Sequence, residues 1–560
     1  MNNKASFIYK NHIYSSVLFL FLSISSGFSQ EYSWFYLRAK DTVFQPVFKK
    51  VDNLLVYKGE DEVLKSVLNS YSIFEFKKTF RKASKKNLKK TFFVISDSNK
   101  LLKELLSKTS HLFEFGELIQ EEDKKIFEPN DYGLTSTIGY NLGLPANLDY
   151  LDYLGLPEAW FYTTGSKDII IGISDAAVDK TNLDFIEKTK TIRKSSYSKG
   201  HGSGVASIAA GQGDNEYGVP GICYDCTINT TTYGDFKNLD QLLELSRAGV
   251  KVINCSWVGS KFYQTAQDAI DEMFNNGTII VAAAGNTDWS KTKGKRLTYP
   301  ASYNHVISIS SVMHRYESVY DNILISDKGN PYGDNIKGFV GRTVGFKDHD
   351  TTKTYKIYQQ SVRNLNSEID LLGPSVGLMR YSKFISDSII EYTEMSPTSP
   401  VAPLITGSIG LMLSLYPCLS VDEVESILKF TSINIDHIEV NKPYFGNYGA
   451  GVLQTGKAVK MVYDMFSENE TTIIENQNFS RWDFKLTAFS KEVLIQNQKF
   501  TSESTLNLTA KNRIVIGENT VLRPNAKGKI ILKIDPALEK QCELQLREGF
   551  PNNKYYYPKE

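Results

Sequence analysis

Thr278-Ile279-Ile280-Val281-Ala282-Ala283-Ala284-Gly285-Asn286 is the stretch on which the fold turns. Its first six residues form an apolar, β-branched run of strand length without polar alternation, the pattern of a strand buried on both faces. Asp168 to Ser174 and Val250 to Cys255 share that texture. Helical patterns lie between the runs, Leu239 to Ala248 and Ala266 to Phe274, the second closed by Asn276-Gly277, a good helix C-terminus. Strands alternating with helices predict an α/β fold: a doubly wound, mostly parallel sheet with helices on both faces. Ligands of such sheets bind beyond the carboxyl ends of the strands, so the residues just after each run carry the most functional weight.

Working outward, the texture changes twice. Residues 30–127 are Lys-rich and mix a strand-like run, Lys90 to Ile95, with a helical one, Leu101 to Leu106. They read as a small α/β domain, joined through the acidic, Pro-containing stretch Glu121 to Asp131. The α/β fold then occupies 128–465. From 466 to 560 short alternating segments such as Leu486 to Ile495, Ser504 to Ala510 and Gly528 to Ile534 are broken by turn residues. Period-two alternation predicts an all-β domain there, a small sandwich or a short solenoid. Residues 1–29 differ from all of these. Lys4 and Lys10 precede the apolar run Val17 to Leu22, which exits through Ser-rich sequence to Gly27-Phe28-Ser29. That is the layout of a secretory signal peptide, and the run is shorter than the ~20 residues of a membrane span. The expected location is outside the cytoplasm, secreted or on the cell surface, with no transmembrane segment after signal removal.

The chain has 560 residues, 23% of them charged, and a formal net charge of +1. That balance excludes a strongly basic nucleic-acid binder. Five cysteines leave at least one unpaired within the chain. Cys223-x-x-Cys226 is half of a zinc knuckle without a second half, so it reads as a small local disulfide or two plain thiols.

Four residues carry chemistry. Asp175 follows the first run, where a carboxylate can orient a histidine or serve as a turn residue. Of seven histidines, only His201 sits among small residues, Gly200-His201-Gly202-Ser203-Gly204-Val205-Ala206, which let another backbone approach the ring. Ser399, in Pro397-Thr398-Ser399-Pro400-Val401-Ala402-Pro403, precedes an apolar helical run, Leu404 to Leu415. It suits a helix cap, and equally a nucleophile at the positive end of a helix. Asn286 places an amide donor at a strand's carboxyl end, where a substrate carbonyl would lie.

Together these segments resemble the subtilisin-like serine proteases (subtilases, peptidase family S8). Asp175 with Ala176, Ala177, Val178 and Asp179 resembles the family's Asp-Thr/Ser-Gly-hydrophobic-Asp segment, and His201 to Ala206 its His-Gly-Thr-His-Val-Ala. Asn254-Cys255-Ser256-Trp257 resembles its substrate-pairing strand, Ala282 to Asn286 its oxyanion segment, and Thr398 to Pro403 its Thr-Ser-Met-Ala-Ala-Pro. The order Asp, His, Ser is also the subtilisin order. The resemblance covers about residues 130–462. It implies a secreted serine endopeptidase made as a proenzyme, with Asp175, His201 and Ser399 as the relay and Asn286 with the Ser399 N–H as oxyanion donors. Ser256, Trp257, Val258 and Gly259, with Ala283, Ala284 and Gly285, would line the cleft and bond an extended substrate. Residues 30–127 would be the propeptide and intramolecular inhibitor. Partners would be protein or peptide substrates, and the chemistry would need no cofactor. The resemblance also suggests a cis bond at Tyr299-Pro300 and a structural calcium, for which Asp184 and Asn215 match side-chain ligand positions.

The departures are specific. Gly204 replaces the family's second histidine, Pro397 its glycine before Thr-Ser, and Pro400 its methionine. The segment from about 315 to 360 reads as an insertion. Trp257 stands where leucine is common, which predicts a smaller subsite for a distal substrate side chain. The competing readings are a weakened protease scaffold that binds through its C-terminal β-domain, and an esterase-like enzyme.

Overall fold

A computed structural model describes residues 32–51, 54–78, 86–132, 148–197, 199–381 and 398–552, with the short strands Ser136–Thr137, Pro145–Ala146 and Tyr392–Met395. The leader and Pro397 lie outside the described residues. Two compact units emerge, the first ending at Ile119 and the second running on from Gln120.

The first unit is a four-stranded antiparallel sheet of β1 (Ser33–Ala39), β2 (Ile73–Lys78), β3 (Thr91–Ser96) and β4 (Phe113–Leu118), in the order β2-β3-β1-β4. Two helices accompany it, α1 (Glu62–Leu68) and α2 (Lys100–Lys108). Asp61 caps α1 by accepting the Leu64 N–H at 2.8 Å. Leu64 and Val67 of α1 and Leu101 and Leu105 of α2 share one core with Phe35, Leu37, Phe92 and Val94 of the sheet.

In the second unit seven parallel strands form one sheet. They are β5 (Ile170–Ser174), β6 (Thr189–Thr191), β7 (Thr227–Thr231), β8 (Val252–Cys255), β9 (Ile279–Ala283), β10 (Val306–Val312) and β11 (Leu371–Pro374). Their order is β6-β7-β5-β8-β9-β10-β11. Successive side chains of a strand point to opposite faces, and β9 divides accordingly. Ile279, Val281 and Ala283 enter one apolar core, Ile280 and Ala282 the other. The first core also takes Val205 and Ala209 of α3 (Lys199–Ala210) and the apolar helix α6 (Val401–Leu415), the second takes α4 (Asp240–Arg247) and α5 (Gln264–Asn275). Both faces are covered, as the unbroken apolar runs require. Gly277, at φ +75°, ends α5 in the left-handed conformation expected of it.

Between β10 and β11 the expected insertion builds its own antiparallel sheet from Ile323–Ile325, Pro331–Asp334, Thr343–Phe346 and Tyr355–Ile357. Beyond β11 and α6 come α7 (Val421–Thr431), opened by a Ser420/Glu423 capping box, and α8 (Thr455–Phe466).

The C-terminal strands pair in parallel, not as hairpins, and so make a short solenoid. Three three-stranded sheets stack coil on coil: Thr471 pairs with Glu492, 21 residues on, and Leu506 with Ile530, 24 on. Phe484, Leu486, Val493 and Phe500 of the solenoid continue the first core of the sheet unit, with the Phe484 and Phe500 rings against Phe430 of α7. A Cys418–Cys542 disulfide ties the end of the solenoid back to the segment after α6. Cys223–Cys226 is a second, local disulfide, and Cys255 is the buried free thiol. Among the described residues no helix is long and apolar enough to cross a membrane.

Candidate active site

The carboxyl ends of β5, β7, β8 and β9 converge with the starts of α3 and α6. Asp175 is the first residue past β5 and is fully buried. Its Oδ1 lies 2.8 Å from His201 Nδ1 and accepts from the Ala176 N–H at 2.6 Å and from the Tyr233 hydroxyl at 3.0 Å. Its Oδ2 is buried without a hydrogen-bond partner among the described residues. His201 lies in the first turn of α3, with its side chain 35% exposed, so the pair joins a buried carboxylate to an accessible ring. The small residues around His201 have a steric reason: a Cβ on Gly202 would stand 1.9 Å from the Ala176 carbonyl oxygen. Gly204, where the family has its second histidine, leaves room for Arg380, whose Cδ would stand 2.7 Å from a Cβ there.

Ser399 sits in the turn that opens α6. The helix cap is Pro400, without a side-chain cap bond, so Ser399 is not held as a cap. Its carbonyl accepts from the Ser256 hydroxyl at 2.8 Å. Neither its own hydroxyl nor its N–H is bonded among the described residues. Asn286, past β9, accepts at Oδ1 from both the N–H (3.2 Å) and the hydroxyl (2.5 Å) of Thr398. With the oxygen so occupied, the amide's two N–H donors are the free end. Thr398 therefore sets which way Asn286 faces.

Ser399, Thr398 and Asn286 line one cleft of about 330 Å³ with Ser256, Trp257, Val258, Ala283 and Gly285. The β5–β8 register, Cys255 opposite Ser174, sets Ser256 beside the Asp175 end. The Trp257 indole N–H reinforces that seam by donating to the Ser174 carbonyl at 3.0 Å.

Two expected lining residues fall elsewhere. Gly259 exchanges both backbone bonds with Tyr299, so its N–H is not free for an extended substrate. Ala284 is fully buried, with its N–H on Ile309 and its carbonyl taken by Thr298 and Asn364. Conversely, Thr287, Asp288 and Lys291 join the cleft unforeseen, and Arg363 pairs with Asp288 at 2.8 Å. Tyr299-Pro300 is cis.

Asp184 and Asn215 do come together, but as a hydrogen-bonded pair. The Asn215 Nδ2 donates to Asp184 Oδ1 at 3.1 Å, while its Oδ1 accepts from the Tyr217 N–H. Calcium takes six to eight oxygen ligands, and this amide offers the carboxylate its nitrogen. Lys188 adds a positive charge nearby. Burial lowers its pKa to about 8 against the opposing pull of Asp225 and Asp184, which leaves it charged at neutral pH. As arranged, the pair does not fit a calcium site. Among the described residues no group of three or more His, Cys, Asp or Glu side chains could hold a metal ion.

Comparison with known proteins identifies the family. The profile described as "Subtilase family" matches residues 166–451. Subtilisin DY of Bacillus licheniformis is 25% identical over 280 residues, covering 48% of this chain and 85% of that protein. The halolysin-like extracellular serine protease Nep of Natrialba magadii is 26% identical over 298 residues, 50% of this chain, and the match spans 46% of Nep's length. Among solved structures, fervidolysin of Fervidobacterium pennivorans aligns with a TM-score of 0.42 at 16% identity, covering 77% of this chain and 61% of that one.

Proposed function

The chain belongs to the subtilase family, a family of serine-type endopeptidases, and from that premise we propose that it cleaves peptide bonds through Asp175, His201, Ser399 and Asn286. The observation that carries this reading is the His201–Asp175 contact of 2.8 Å, made where β5 ends. Ser399 Oγ attacks the scissile carbonyl as His201 Nε2 takes its proton. Asp175 keeps the imidazole proton on Nδ1 and stabilises the imidazolium that forms. Charge developing on the carbonyl oxygen is met by the Asn286 amide, already turned by Thr398, and by the unbonded Ser399 N–H. Collapse of the tetrahedral intermediate returns the proton from His201 to the leaving amine and leaves an acyl-enzyme on Ser399. Water, deprotonated by the same imidazole, then releases the acid.

In this reading the substrates are proteins or peptides. Residues 1–29 direct secretion, and residues 30–127 act as a propeptide that inhibits until it is removed. Expression of the wild type beside Ser399→Ala, with N-terminal sequencing and labelling by a fluorophosphonate, tests the relay and the processing. The expected result is wild-type protein that labels and is cut between about 120 and 135, and a Ser399→Ala protein that does neither. Wild-type protein that is freed of residues 30–127 yet stays unlabelled would overturn the proposal.

A further inference from the structure

Tyr233 lies two residues past the end of β7, the strand that neighbours β5 on the side away from β8. Thr231 pairs with Ser174, so the two strands end level and deliver Tyr233 beside Asp175. The phenol donates to Asp175 Oδ1, the oxygen that also faces the imidazole. We infer that Tyr233 is a positioning residue for the Asp175–His201 pair, holding the carboxylate turned to the ring. The inference rests on the relay proposed above.

Its physical basis is the setting of Asp175. A fully buried carboxylate favours its neutral form unless donors stabilise the charge. Here one oxygen has no partner, and the following residue, Ala176, offers an N–H but no hydroxyl. Tyr233 supplies the hydroxyl. Its own place is fixed: the Gln241 amide donates to its carbonyl at 2.6 Å, and the Tyr197 ring meets its ring edge-on at 5.0 Å. Burial first, and the Asp175 charge second, push the phenol above its ordinary pKa, so it stays a donor wherever histidine titrates. The other groups facing this pair do not compete for that role. Cys255 is held as a neutral thiol, by burial and then by the same carboxylate, and Arg380 reaches only the Gly200 carbonyl, at 3.4 Å.

The test compares the wild type with Tyr233→Phe, which keeps the ring and removes the oxygen. It measures the rate of Ser399 labelling by a fluorophosphonate from pH 5 to 9, with kcat/KM on a peptide substrate over the same range. Without the phenol donor, the form with unprotonated imidazole loses the most stabilisation, so proton uptake becomes easier and the acid limb moves up. The variant is expected to label about tenfold more slowly at neutral pH, with the acid limb raised by about half a unit. An unchanged rate, or a slower rate with an unmoved acid limb, overturns the inference alone. A wild type that fails to label overturns the relay itself and this inference with it.

Discussion

Asp175 and Asp464 are both buried carboxylates with one oxygen lacking a hydrogen-bond partner, yet their surroundings differ in kind. Asp464, on α8, has among the described residues a single side-chain donor, the Lys460 ammonium at 2.6 Å. Burial outweighs that donor and raises its pKa to about 6. Asp175 has an imidazole, a phenol and a backbone N–H on one oxygen, all delivered by neighbouring strand ends and the start of α3. Burial alone makes a carboxylate that gives up its charge. Converging donors fix one oxygen in place and so orient what lies beside it.

The contrast breaks most readily at Asp175. Asp175→Asn keeps the shape but offers an amide where the imidazole N–H needs an acceptor, and kcat is expected to fall about 10⁴-fold. A loss below about tenfold would show that the carboxylate does not hold the tautomer. Next in size is Asn286→Ala, expected to lower kcat about 10²–10³-fold, the figure known for this donor in subtilisin itself, with KM little changed. Both are read by steady-state kinetics on one peptide substrate, with thermal melting to show that each variant folds.

Much of this site was legible because its segments are locally constrained. Small residues after His201 are needed where Ala176 packs, and Ala282 to Asn286 must end a buried strand in a tight turn, with Gly285 at φ +95°. Strands β5, β8 and β9 showed as apolar runs because both faces are covered. The run Thr227–Thr231 did not, since its Thr and Asn side chains carry no apolar signature, and with β7 unseen Tyr233 had no strand end to mark it. Thr398 was read only as part of a motif. Its role depends on Asn286, more than a hundred residues away, and no local pattern encodes that meeting. The solenoid was ambiguous for the same reason, because strands that alternate like hairpins pair instead with the next coil.

A smaller effect sharpens the comparison from the Asp464 side. A folded-state pKa of about 6 against an ordinary 3.8 means that the folded protein binds more protons than the unfolded chain between those values. Stability therefore falls as pH rises from about 4 to 6, and the penalty is complete above 6. Asp464→Asn removes the charge, so melting at pH 7.5 should show a gain of about 1–2 kcal/mol that vanishes by pH 4. Activity should be unchanged. A gain equal at both pH values would assign the effect to packing rather than to charge.

The smallest expected effect concerns Asp184, a third buried carboxylate. The Asn215 amide donates to it, and the Lys188 ammonium adds positive potential nearby. A cation bound at a hundred times its Kd would stabilise the fold by about 2.7 kcal/mol, and chelation would remove that. Melting with EGTA is therefore expected to match melting with added calcium. A clear drop with EGTA that Asp184→Asn abolishes would mean that Asn215 turns its oxygen toward Asp184 when an ion is present. In that case the three carboxylates would differ chiefly in their partners: imidazole and phenol at Asp175, a lone ammonium at Asp464, a metal at Asp184.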